Sequence, residues 1–410
     1  MPKTIAITPS WYWPAGTTRV TGVPPFGIHE ILVDRFARHR PDAPALVSGD
    51  DRVTGAELAD RVHAAAAALR GRLGDASCVH LYAGATVEGV VLLLAALAAD
   101  ARVRLLAAGA APDPPLAGEA CATIALADGA GAAAASADGR QVVRLAELCA
   151  APRGSVQDPE GERRIGLGDA AVALPGAPGG AAAWHSHHSL LATAVSIATF
   201  LQLDASLPWV SAQPLATWEG LAGVMAPLLA GTTVVLPGAE PLPQAAAREA
   251  AGYVFADLET VTALTRDAKR DVKNLRGALR LLLLSVAGAF DPDMRRRVGR
   301  SFDCAALTMY GSVETGPVFA SHPSWYVDES VGIPITNAHV VPVDPRSHAP
   351  LQTLWELVEF ARVSVRSPAS MVGYDRASGL DEPTVDGRFL MPMLASSDAN
   401  GMIYLLPDEV

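Results

Sequence analysis

One short segment in the last quarter of the chain combines a carboxylate with hydroxyl groups, the side chains that acid–base and nucleophilic chemistry uses. It reads Met309-Tyr-Gly-Ser-Val-Glu-Thr-Gly316 and begins at the end of an apolar run that predicts a strand. Open α/β sheets bind ligands beyond the carboxyl ends of their strands. A carboxylate buried there has a raised pKa, which suits a general base or acid near neutrality. Glu314 is therefore the first candidate catalytic residue. The alternative is a carboxylate that only accepts backbone hydrogen bonds.

Two serines are candidate nucleophiles. Ser312 lies in the same segment, and Ser285 lies in the apolar run Leu279–Val286. Serine nucleophiles on α/β folds usually sit in a Gly-x-Ser-x-Gly turn beside a histidine base. Neither serine has that context. His185 is kept as the candidate catalytic histidine, although no spacing places it beside either serine. Serine catalysis is the weaker hypothesis.

A glycine-rich segment precedes this histidine. Residues 174–188 read LPGAPGGAAAWHSHH, with a predicted strand before them and a predicted helix after. That context is typical of loops that cradle phosphate with backbone N–H groups. Such loops also carry hydroxyl groups and a lysine, and residues 174–184 contain neither. A plain turn is therefore favoured over a phosphate site. His185, His187 and His188 have no carboxylate or cysteine close in sequence, so we expect no metal site.

Lysine is scarce throughout the chain. The three lysines are Lys3, Lys269 and Lys273, and no arginine lies between Arg164 and Arg248. A leaving pyrophosphate needs preorganised positive charge, and losing one such charge typically raises a barrier by several kcal/mol. The glycine-rich segment therefore lacks the charge that ATP chemistry would require.

The chain alternates apolar runs of strand length with runs of helical spacing. Cys78–Ala83 and Arg102–Ala107 flank the helix-length run Val87–Ala99. This order predicts βαβ units and a parallel sheet, so the fold class is α/β. Further candidate strands are Ala171–Leu174, Trp209–Gln213, Thr232–Leu236, Tyr253–Ala256, Leu279–Val286 and Ala305–Met309, and candidate helices include Leu190–Leu201 and Asp291–Gly299.

Four parts are expected along the chain. The sequence predicts an N-terminal arm at residues 1–25 and a first α/β subdomain at residues 26–165. It predicts a second α/β subdomain at residues 166–330 and a small β-rich subdomain at residues 331–410. Helical spacing starts at Ile28, and Thr54 with Glu57 forms a capping box that opens a second helix.

Composition narrows the function classes. Half of the 410 residues are hydrophobic and 18% are charged, which allows a large core. The formal charge of −11 disfavours nucleic acid as a partner. The apolar runs are shorter than a membrane span, and the first residues lack the pattern of a secretory signal. Four separated cysteines fit a reducing compartment, so a cytoplasmic location without a membrane is expected.

The order of these segments resembles the large N-terminal domain of the adenylate-forming (ANL) superfamily, which includes acyl-CoA synthetases, peptide-synthetase adenylation domains and luciferases. The resemblance runs from about residue 28 to the end of the chain. The matching segments are Tyr310, Gly311, Glu314 and Thr315 with the YGxTE motif, Thr54–Leu58 with TYAEL, Pro214–Gly220 with PLFHxxG, Ala287–Ala289 with GGAP, Val331–Pro334 with a GxP connection, and Gly373-Tyr374 with Asp386-Gly387 for the GY…dGW region.

The resemblance implies a fold and a set of roles. It implies two βαβ-built sheets flanked by helices in layers, with a small β-rich lobe. It implies that Glu314 helps to hold magnesium and that Thr315 contacts the AMP phosphate. It also implies an acyl pocket at Thr217, Trp218, Gly220, Ser285, Gly288, Ala289, Tyr310 and Gly311. Trp218 and Tyr310 could stack on an aryl or alkyl acid, or they could be core aromatics.

The departures from the family pattern are equally specific. Pro175, Ala177, Pro178 and Ala182 stand where the family loop has hydroxyl groups and lysine, and Gly176 and Gly179 keep two of its glycines. Met391-Pro392-Met393 stands where the family has TGD, whose aspartate grips the ATP ribose. A thioether cannot accept hydrogen bonds from two ribose hydroxyls as a carboxylate can. We expect Pro175, Pro178 and Met393 to narrow the nucleotide cleft. The chain ends at Val410, near the family hinge, and the family's C-terminal domain is expected to be absent.

Three hypotheses follow. The first is a degenerate adenylation-domain homologue that acts without ATP on a CoA or carrier-protein thioester, as an acyltransferase, cyclase or hydrolase of specialised metabolism. The second is a non-catalytic partner of a ligase or of an acyl carrier protein. The third is an ATP-dependent acyl- or aryl-acid ligase completed by a separate domain. ATP and magnesium are disfavoured as cofactors, and a small acyl or aryl ligand is expected. The oligomeric state stays open, with a homodimer among the alternatives.

Overall fold

The structure is a computed structural model, and its helices alternate with strands over most of the chain. It describes residues 13–73, 78–109, 121–129, 131–137, 140–150, 165–176, 181–351, 358–376, 379–381, 384–385 and 387–407. The α-helices are α1 (Arg35–His39), α2 (Gly55–Leu73), α3 (Val87–Ala98), α4 (Ala132–Ala137), α5 (Leu145–Cys149), α6 (His187–Leu201), α7 (Trp218–Ala230), α8 (Leu242–Arg248), α9 (Leu258–Asp267), α10 (Lys269–Asn274) and α11 (Pro292–Phe302). A π-helical turn, Glu30–Asp34, leads into α1.

The strands are short, as expected for a layered α/β fold. They are β1 (Pro44–Ser48), β2 (Asp51–Thr54), β3 (Cys78–Ala83), β4 (Arg102–Ala107), β5 (Cys121–Ala127), β6 (Gln141–Val143), β7 (Ala170–Leu174), β8 (Ala183–Ser186), β9 (Trp209–Ser211), β10 (Val234–Val235), β11 (Tyr253–Asp257), β12 (Leu281–Ser285), β13 (Ala305–Ser312), β14 (Gly316–Ala320), β15 (Ile333–Pro334), β16 (His339–Val343), β17 (Val358–Arg366), β18 (Gly373–Arg376), β19 (Gly379–Asp381), β20 (Thr384–Val385), β21 (Arg388–Ser397) and β22 (Ile403–Leu405).

Three sheets organise the fold. The first has nine strands in the order β15-β14-β13-β12-β11-β9-β10-β1-β2, and its six central strands are parallel. The second has eight strands in the order β19-β18-β8-β7-β4-β3-β5-β6. The third joins β16, β17, β21 and β20, with β22 paired to β21. Two βαβ-built sheets with a small β-rich lobe confirm the expected α/β architecture.

The sheets do not divide at the boundaries expected from the sequence. Strands β1 and β2, from the first expected subdomain, lie in the nine-stranded sheet, whereas β7 and β8, from the second, lie in the eight-stranded sheet. Strands β18 and β19, from the expected β-rich subdomain, also lie in the eight-stranded sheet. Strand pairing over long sequence separations therefore decides which residues form each layer.

Several features predicted from local sequence patterns are present in the structure. The strands at 78–83 and 102–107 have the predicted bounds. The Thr54–Glu57 capping box is present, because the Thr54 N–H donates to Glu57 Oε2 at 2.9 Å and the Glu57 N–H donates to Thr54 Oγ1 at 3.2 Å. The Thr54 N–H and the Thr54 hydroxyl, which also donates to Glu57 Oε2 at 3.1 Å, both lower the pKa of the Glu57 carboxyl.

The helix predicted after the glycine-rich segment, Leu190–Leu201, is present as α6, His187–Leu201, with Ser186 as its N-cap. The sequence missed strand β8, which lies inside the segment at Ala183–Ser186 and pairs antiparallel with β7 and β18. Four residues are too few to show an alternating pattern.

The described part of the N-terminal arm packs against the body. Thr336 Oγ1 donates to the Thr18 carbonyl oxygen at 2.8 Å, and the Thr21 N–H donates to Asn337 Oδ1 at 2.9 Å. Thr17 Oγ1 lies 2.8 Å from His322 Nε2. These bonds join residues that are more than 300 positions apart, so the described part of the arm is fastened to the surface of the folded body.

No helix in the described part of the chain is long and apolar enough to cross a membrane.

A buried arginine holds the loop after β14. Arg295, on α11, is 1% exposed and donates hydrogen bonds to the carbonyl oxygens of Ala306 at 2.7 Å and Ser330 at 2.9 Å, and to Ser321 Oγ at 3.0 Å. Its guanidinium carbon lies 4.9 Å from the centre of the Tyr326 ring. Burial lowers the pKa of Arg295 to about 10.

We expect Arg295→Lys to destabilise the fold. An ammonium group cannot reach acceptors on three sides as a planar guanidinium does, so buried acceptors would lose their donors. The free energy of unfolding should fall by about 3 kcal/mol in urea titrations. The matched control is Arg297→Lys on the exposed side of α11, which should stay within about 0.5 kcal/mol of wild type. Equal effects of the two variants would contradict the role given to Arg295.

Candidate functional site

The candidate site lies at the carboxyl edge of the nine-stranded sheet. Strands β9, β11, β12 and β13 are parallel and end there at Ser211, Asp257, Ser285 and Ser312. The carboxyl ends of parallel strands bring polar residues from distant parts of the chain to one edge. The segment 309–316 that carries the candidate catalytic carboxylate is the turn between β13 and β14.

The carboxylate of Glu314 is held by a tyrosine. Tyr374, on β18, donates its phenol hydrogen to Glu314 Oε1 at 2.6 Å. The Met371 N–H donates to the Glu314 carbonyl oxygen at 2.7 Å. A phenol–carboxylate bond of this length is a strong, charge-assisted hydrogen bond. The hairpin that begins at β18 is therefore fastened to the turn that carries Glu314.

A buried ion pair fixes the same hairpin from its other side. Arg104 Nη2 lies 2.6 Å from Asp375 Oδ2, with side chains only 3% and 8% exposed. The Trp184 indole N–H donates to the other oxygen of Asp375, and the Arg104 guanidinium carbon lies 5.4 Å from the Trp184 ring centre. Asp375 follows Tyr374 directly, so this pair positions the tyrosine that bonds Glu314.

Thr315 is enclosed by its neighbours. It is 0% exposed, and its hydroxyl donates to the Gly316 carbonyl oxygen at 3.0 Å. Ser312 Oγ lies 3.1 Å from Thr315 Oγ1, and the sulfur of Met391 lies 3.9 Å from it. The hydroxyls of this turn are thus bonded to one another and covered by a thioether.

A second methionine of β21 lies over the loop after β12. A Cβ atom added to Gly288 would come within 3.2 Å of Met393 Cε, so the methyl group lies against this glycine. Residues two apart on a strand point to the same side. Met391 and Met393 therefore form an apolar wall that touches both the Glu314 turn and the loop at Gly288.

His185 is brought close to Glu314 but is buried in the neutral form. Its Nε2 donates to the Val313 carbonyl oxygen at 2.7 Å, and its Nδ1 lies 3.4 Å from Ser189 Oγ. Burial lowers the pKa of His185 to about 4, against the opposing effects of the Val313 bond and the Glu314 charge. This histidine has hydrogen-bond partners on both ring nitrogens.

A second carboxyl, Glu219, was missed in the sequence. It lies in the first turn of α7, and Ser285 Oγ, at the end of β12, donates to its Oε1 at 3.1 Å. Burial raises the pKa of the Glu219 carboxyl, and the nearby Asp257 carboxylate raises it further. The one sequence signal was its position inside the PLATWEG segment, directly before Gly220.

The loop before α7 is tightly closed. Thr217 caps the helix by accepting from the Gly220 N–H at 3.0 Å, and its hydroxyl donates to the Pro214 carbonyl oxygen at 2.8 Å. A Cβ atom on Gly220 would lie 1.8 Å from that same oxygen. Only glycine fits at residue 220, which explains why this segment keeps it.

The two aromatic candidates are core residues. Trp218 is 7% exposed and Tyr310 3% exposed, and the Tyr310 ring stacks on Phe319 with centroids 6.3 Å apart and planes at 17°. Tyr310 thus belongs to the hydrophobic core, together with Trp218.

The structure gathers the candidate residues into two groups. Glu314, Ser312, Thr315 and His185 lie together in the first group, and Thr217, Glu219 and Ser285 form the second. Ala289 is exposed beside Gly288. Ala177, Pro178, Gly179 and Asp386 lie outside the described residues, so the narrowing expected from Pro178 stays a prediction. Within the described residues, no group of three or more His, Cys, Asp or Glu side chains could hold a metal ion.

One family model matches more than half of the chain. Residues 33–114 and 180–374 match the family model described as AMP-binding enzyme. No curated protein matches the sequence. Among solved structures, o-succinylbenzoate CoA synthetase from Bacillus subtilis is 20% identical with a TM-score of 0.74, covering 92% of this chain and 78% of that one. A long-chain-fatty-acid-CoA ligase from Archaeoglobus fulgidus is 14% identical with a TM-score of 0.79, covering 96% and 86%.

A third similar structure was solved with nucleotide. ATP-bound MatB from Rhodopseudomonas palustris is 20% identical with a TM-score of 0.73, covering 93% of this chain and 78% of that one. At these identities the likeness shows a shared fold, which is the fold expected from the motif order.

We expect stability to fall with acidification through the pKa window of His185. The unfolded imidazole takes up a proton near pH 6.5, whereas the buried one does so only near pH 4. The folded state therefore binds fewer protons between these values, and stability is lost as pH falls from 6.5 to 4. Unfolding in urea at several pH values should show a loss of roughly 3 kcal/mol. His185→Gln should reduce this dependence by the share of His185 and leave the share of His322, whose pKa burial also lowers to about 4. The exposed control His188→Gln should keep the whole dependence.

The bond between Tyr374 and Glu314 can be measured by a double-mutant cycle. Tyr374→Phe should cost about 2 kcal/mol, because a partly buried charged acceptor loses its donor. Glu314→Gln combined with Tyr374→Phe should cost less than the sum of the two single changes by at least 1 kcal/mol. Urea unfolding of the four proteins gives the coupling energy. Additive effects would show that the two side chains do not interact.

Proposed function

Because the chain belongs to the AMP-binding enzyme family, we propose that it binds an acyl ligand and acts without ATP on a thioester that another enzyme has activated. The ligand would arrive as a thioester of CoA or of a carrier protein. The observation that carries the proposal is the hydrogen bond from Tyr374 to Glu314, because it gives the expected metal-holding carboxylate a partner from the protein itself.

The described residues do not fit magnesium and ATP. Glu314 is bonded to Tyr374, and Thr315, the expected phosphate contact, has no exposed surface. The expected ribose-binding position is occupied by Met393, whose methyl group lies against Gly288. Pro175 and Gly176, the described start of the glycine-rich loop, offer neither a hydroxyl nor a cation. A triphosphate at this edge would meet apolar groups where it needs charge.

The pair Ser285 and Glu219 supports acyl transfer at the remaining site. Ser285 Oγ already donates to Glu219 Oε1 at 3.1 Å, the arrangement of a nucleophile beside a base. In the proposed step the Ser285 oxygen bonds to the thioester carbonyl carbon and its proton passes to Glu219. The carbon–sulfur bond then breaks, and the thiolate leaves with that proton. An acceptor hydroxyl, amine or water then attacks the carbonyl carbon of the Ser285 ester and gives its proton to Glu219. The bond between that carbon and the Ser285 oxygen breaks, and Glu219 returns the proton to Ser285, which completes transfer, cyclisation or hydrolysis.

The raised pKa of Glu219 suits this exchange of a proton. A carboxyl group whose pKa lies nearer neutrality can accept a proton from the nucleophile and return it to the leaving group. Burial is the main cause of the shift, so the pair would work in a site shielded from water.

A non-catalytic role as a partner of a ligase or carrier protein is the second candidate. It is favoured by the hydrogen bonds of the first group: Glu314 is bonded to Tyr374, Ser312 to Thr315, and His185 to Val313. Groups that already have partners inside the protein are poorly placed to act on a ligand. This candidate requires that the Ser285 and Glu219 pair be inert as well.

Calorimetry and turnover separate the candidates. We expect no binding of magnesium and ATP at millimolar concentration, and release of free thiol from one or more members of a panel of acyl-CoA thioesters. Ser285→Ala and Glu219→Gln should each reduce thiol release by at least about a hundredfold, in line with losing a nucleophile or its base. Free thiol is measured with a chromogenic disulfide.

The matched control is Glu259→Gln, since Glu259 also lies in the first turn of a helix, α9, but is exposed. It should keep wild-type turnover. Inertness toward the whole panel would favour the non-catalytic role. Tight binding of ATP with release of pyrophosphate from a free acid would establish a ligase and refute the proposal.

A further inference from the structure

A stripe of positive charge runs along two helices away from the candidate site. Its members, called the basic stripe below, are exposed lysines and arginines of α10, the turn after it, and α11. They are Lys269, Arg270, Lys273, Arg276, Arg297 and Arg300. Two of the three lysines in the chain lie in this stripe, although the whole chain carries a formal charge of −11.

The stripe is continuous across the two helices. Lys269 and Lys273 lie four residues apart on α10, Arg276 follows in the turn after it, and Val272 and Leu275 between them are buried. Arg276 Nε donates to the Ser301 carbonyl oxygen, at the end of α11, at 3.0 Å. That bond joins the two halves, since Arg297 and Arg300 lie on the last turns of α11.

These cations form no ion pair within 4 Å among the residues that the structure describes. Other surface arginines of the chain do: Arg52 pairs with Glu249, Arg144 with Glu88, and Arg296 with Asp293. Asp267 and Asp271 are interspersed, so the segment 266–276 contains five cations and two anions. On α11, the charges of Arg297 and Arg300 help to lower the pKa of the Asp293 carboxyl, which is paired with Arg296. The positive charge of the segment 266–276 is therefore available to a partner.

The helix dipoles explain the positions of only some of these cations. A cation in the last turn of a helix stabilises the helix by about 0.3–1 kcal/mol, which explains Lys273 on α10 and Arg300 on α11. Lys269 and Arg270 stand at the opposite, amino end of α10, where a positive charge is unfavourable. Their presence there needs another reason.

We propose that the basic stripe is the docking surface for a carboxylate-rich face of a partner protein. The stripe lies at the amino edge of the nine-stranded sheet, because α9 and α11 run back from the carboxyl edge and α10 leads into β12. The candidate site is at the opposite edge. The proposed docking therefore does not depend on the chemistry proposed above. It suits a partner that is held beside this protein, rather than a partner that delivers a ligand into the candidate site.

An acidic protein fits this surface better than a phosphate polymer or a membrane. Outside the segment 266–300 the chain is strongly acidic and would repel a long polyanion. The large exposed apolar side chains of the described residues are Val20, Phe26 and Phe360, none of them in the stripe. Bases need aromatic stacking platforms and membranes need apolar anchors, and the stripe supplies neither.

The test uses a fluorescein-labelled helical peptide of glutamate and alanine as the acidic probe, with the glutamine version as its neutral twin. Fluorescence anisotropy at low salt should show binding of the glutamate peptide alone, weakening as salt is added. Lys269→Glu combined with Arg270→Glu and Lys273→Glu should weaken binding by at least about tenfold. If this charge-reversed triple variant does not fold, the neutral triple variant is used in its place: Lys269→Gln, Arg270→Gln and Lys273→Gln.

The matched control changes the same net charge elsewhere. Arg38, Arg72 and Arg346 are exposed and lie outside the stripe, so their combined change to glutamate should leave binding within about twofold of wild type. Equal losses in both triple variants would show an effect of net charge and overturn the proposal. So would absence of binding at low salt, or tighter binding of a single-stranded RNA or of phosphatidylserine vesicles than of the peptide.

Discussion

The hydrogen bond from Tyr374 to Glu314 is the contact on which the arrangement of the candidate site depends. It joins the hairpin at β18 to the turn between β13 and β14, and the buried pair of Arg104 and Asp375 holds that hairpin in place. A carboxylate at a sheet edge needs a counter-charge or donors. Here the Tyr374 phenol supplies a donor to one of the two oxygens of the Glu314 carboxylate.

Strand β21 covers a further part of the same sheet edge. Met391 lies against Thr315 and Met393 against Gly288, so one strand covers both places where polar contacts with a nucleotide are expected in this family. A thioether is polarisable and fills space, but it is a weak hydrogen-bond acceptor. The hydrogen-bonded pair of Glu219 and Ser285 is polar and lies at the carboxyl end of the neighbouring strand, β12.

The molecule thus has two chemically different ends. The carboxyl edge of the nine-stranded sheet holds carboxyl and hydroxyl groups among apolar walls, and the amino edge carries the basic stripe. The helices that connect the strands run from one edge to the other, so the candidate site and the basic stripe lie apart in space. The proposed ligand site and the proposed docking surface therefore use different residues.

Sequence patterns determined the elements and the order of motifs. Strands β3 and β4, the capping box at Thr54 and the α/β class follow from local spacing, and the scarcity of lysine is visible without any structure. Tertiary structure alone decided the partners. Glu314 meets a tyrosine 60 residues away, and Glu219 meets a serine 66 residues away. Such pairs depend on which strands lie side by side and in what register, and a single sequence does not carry that information because it reports only neighbours along the chain.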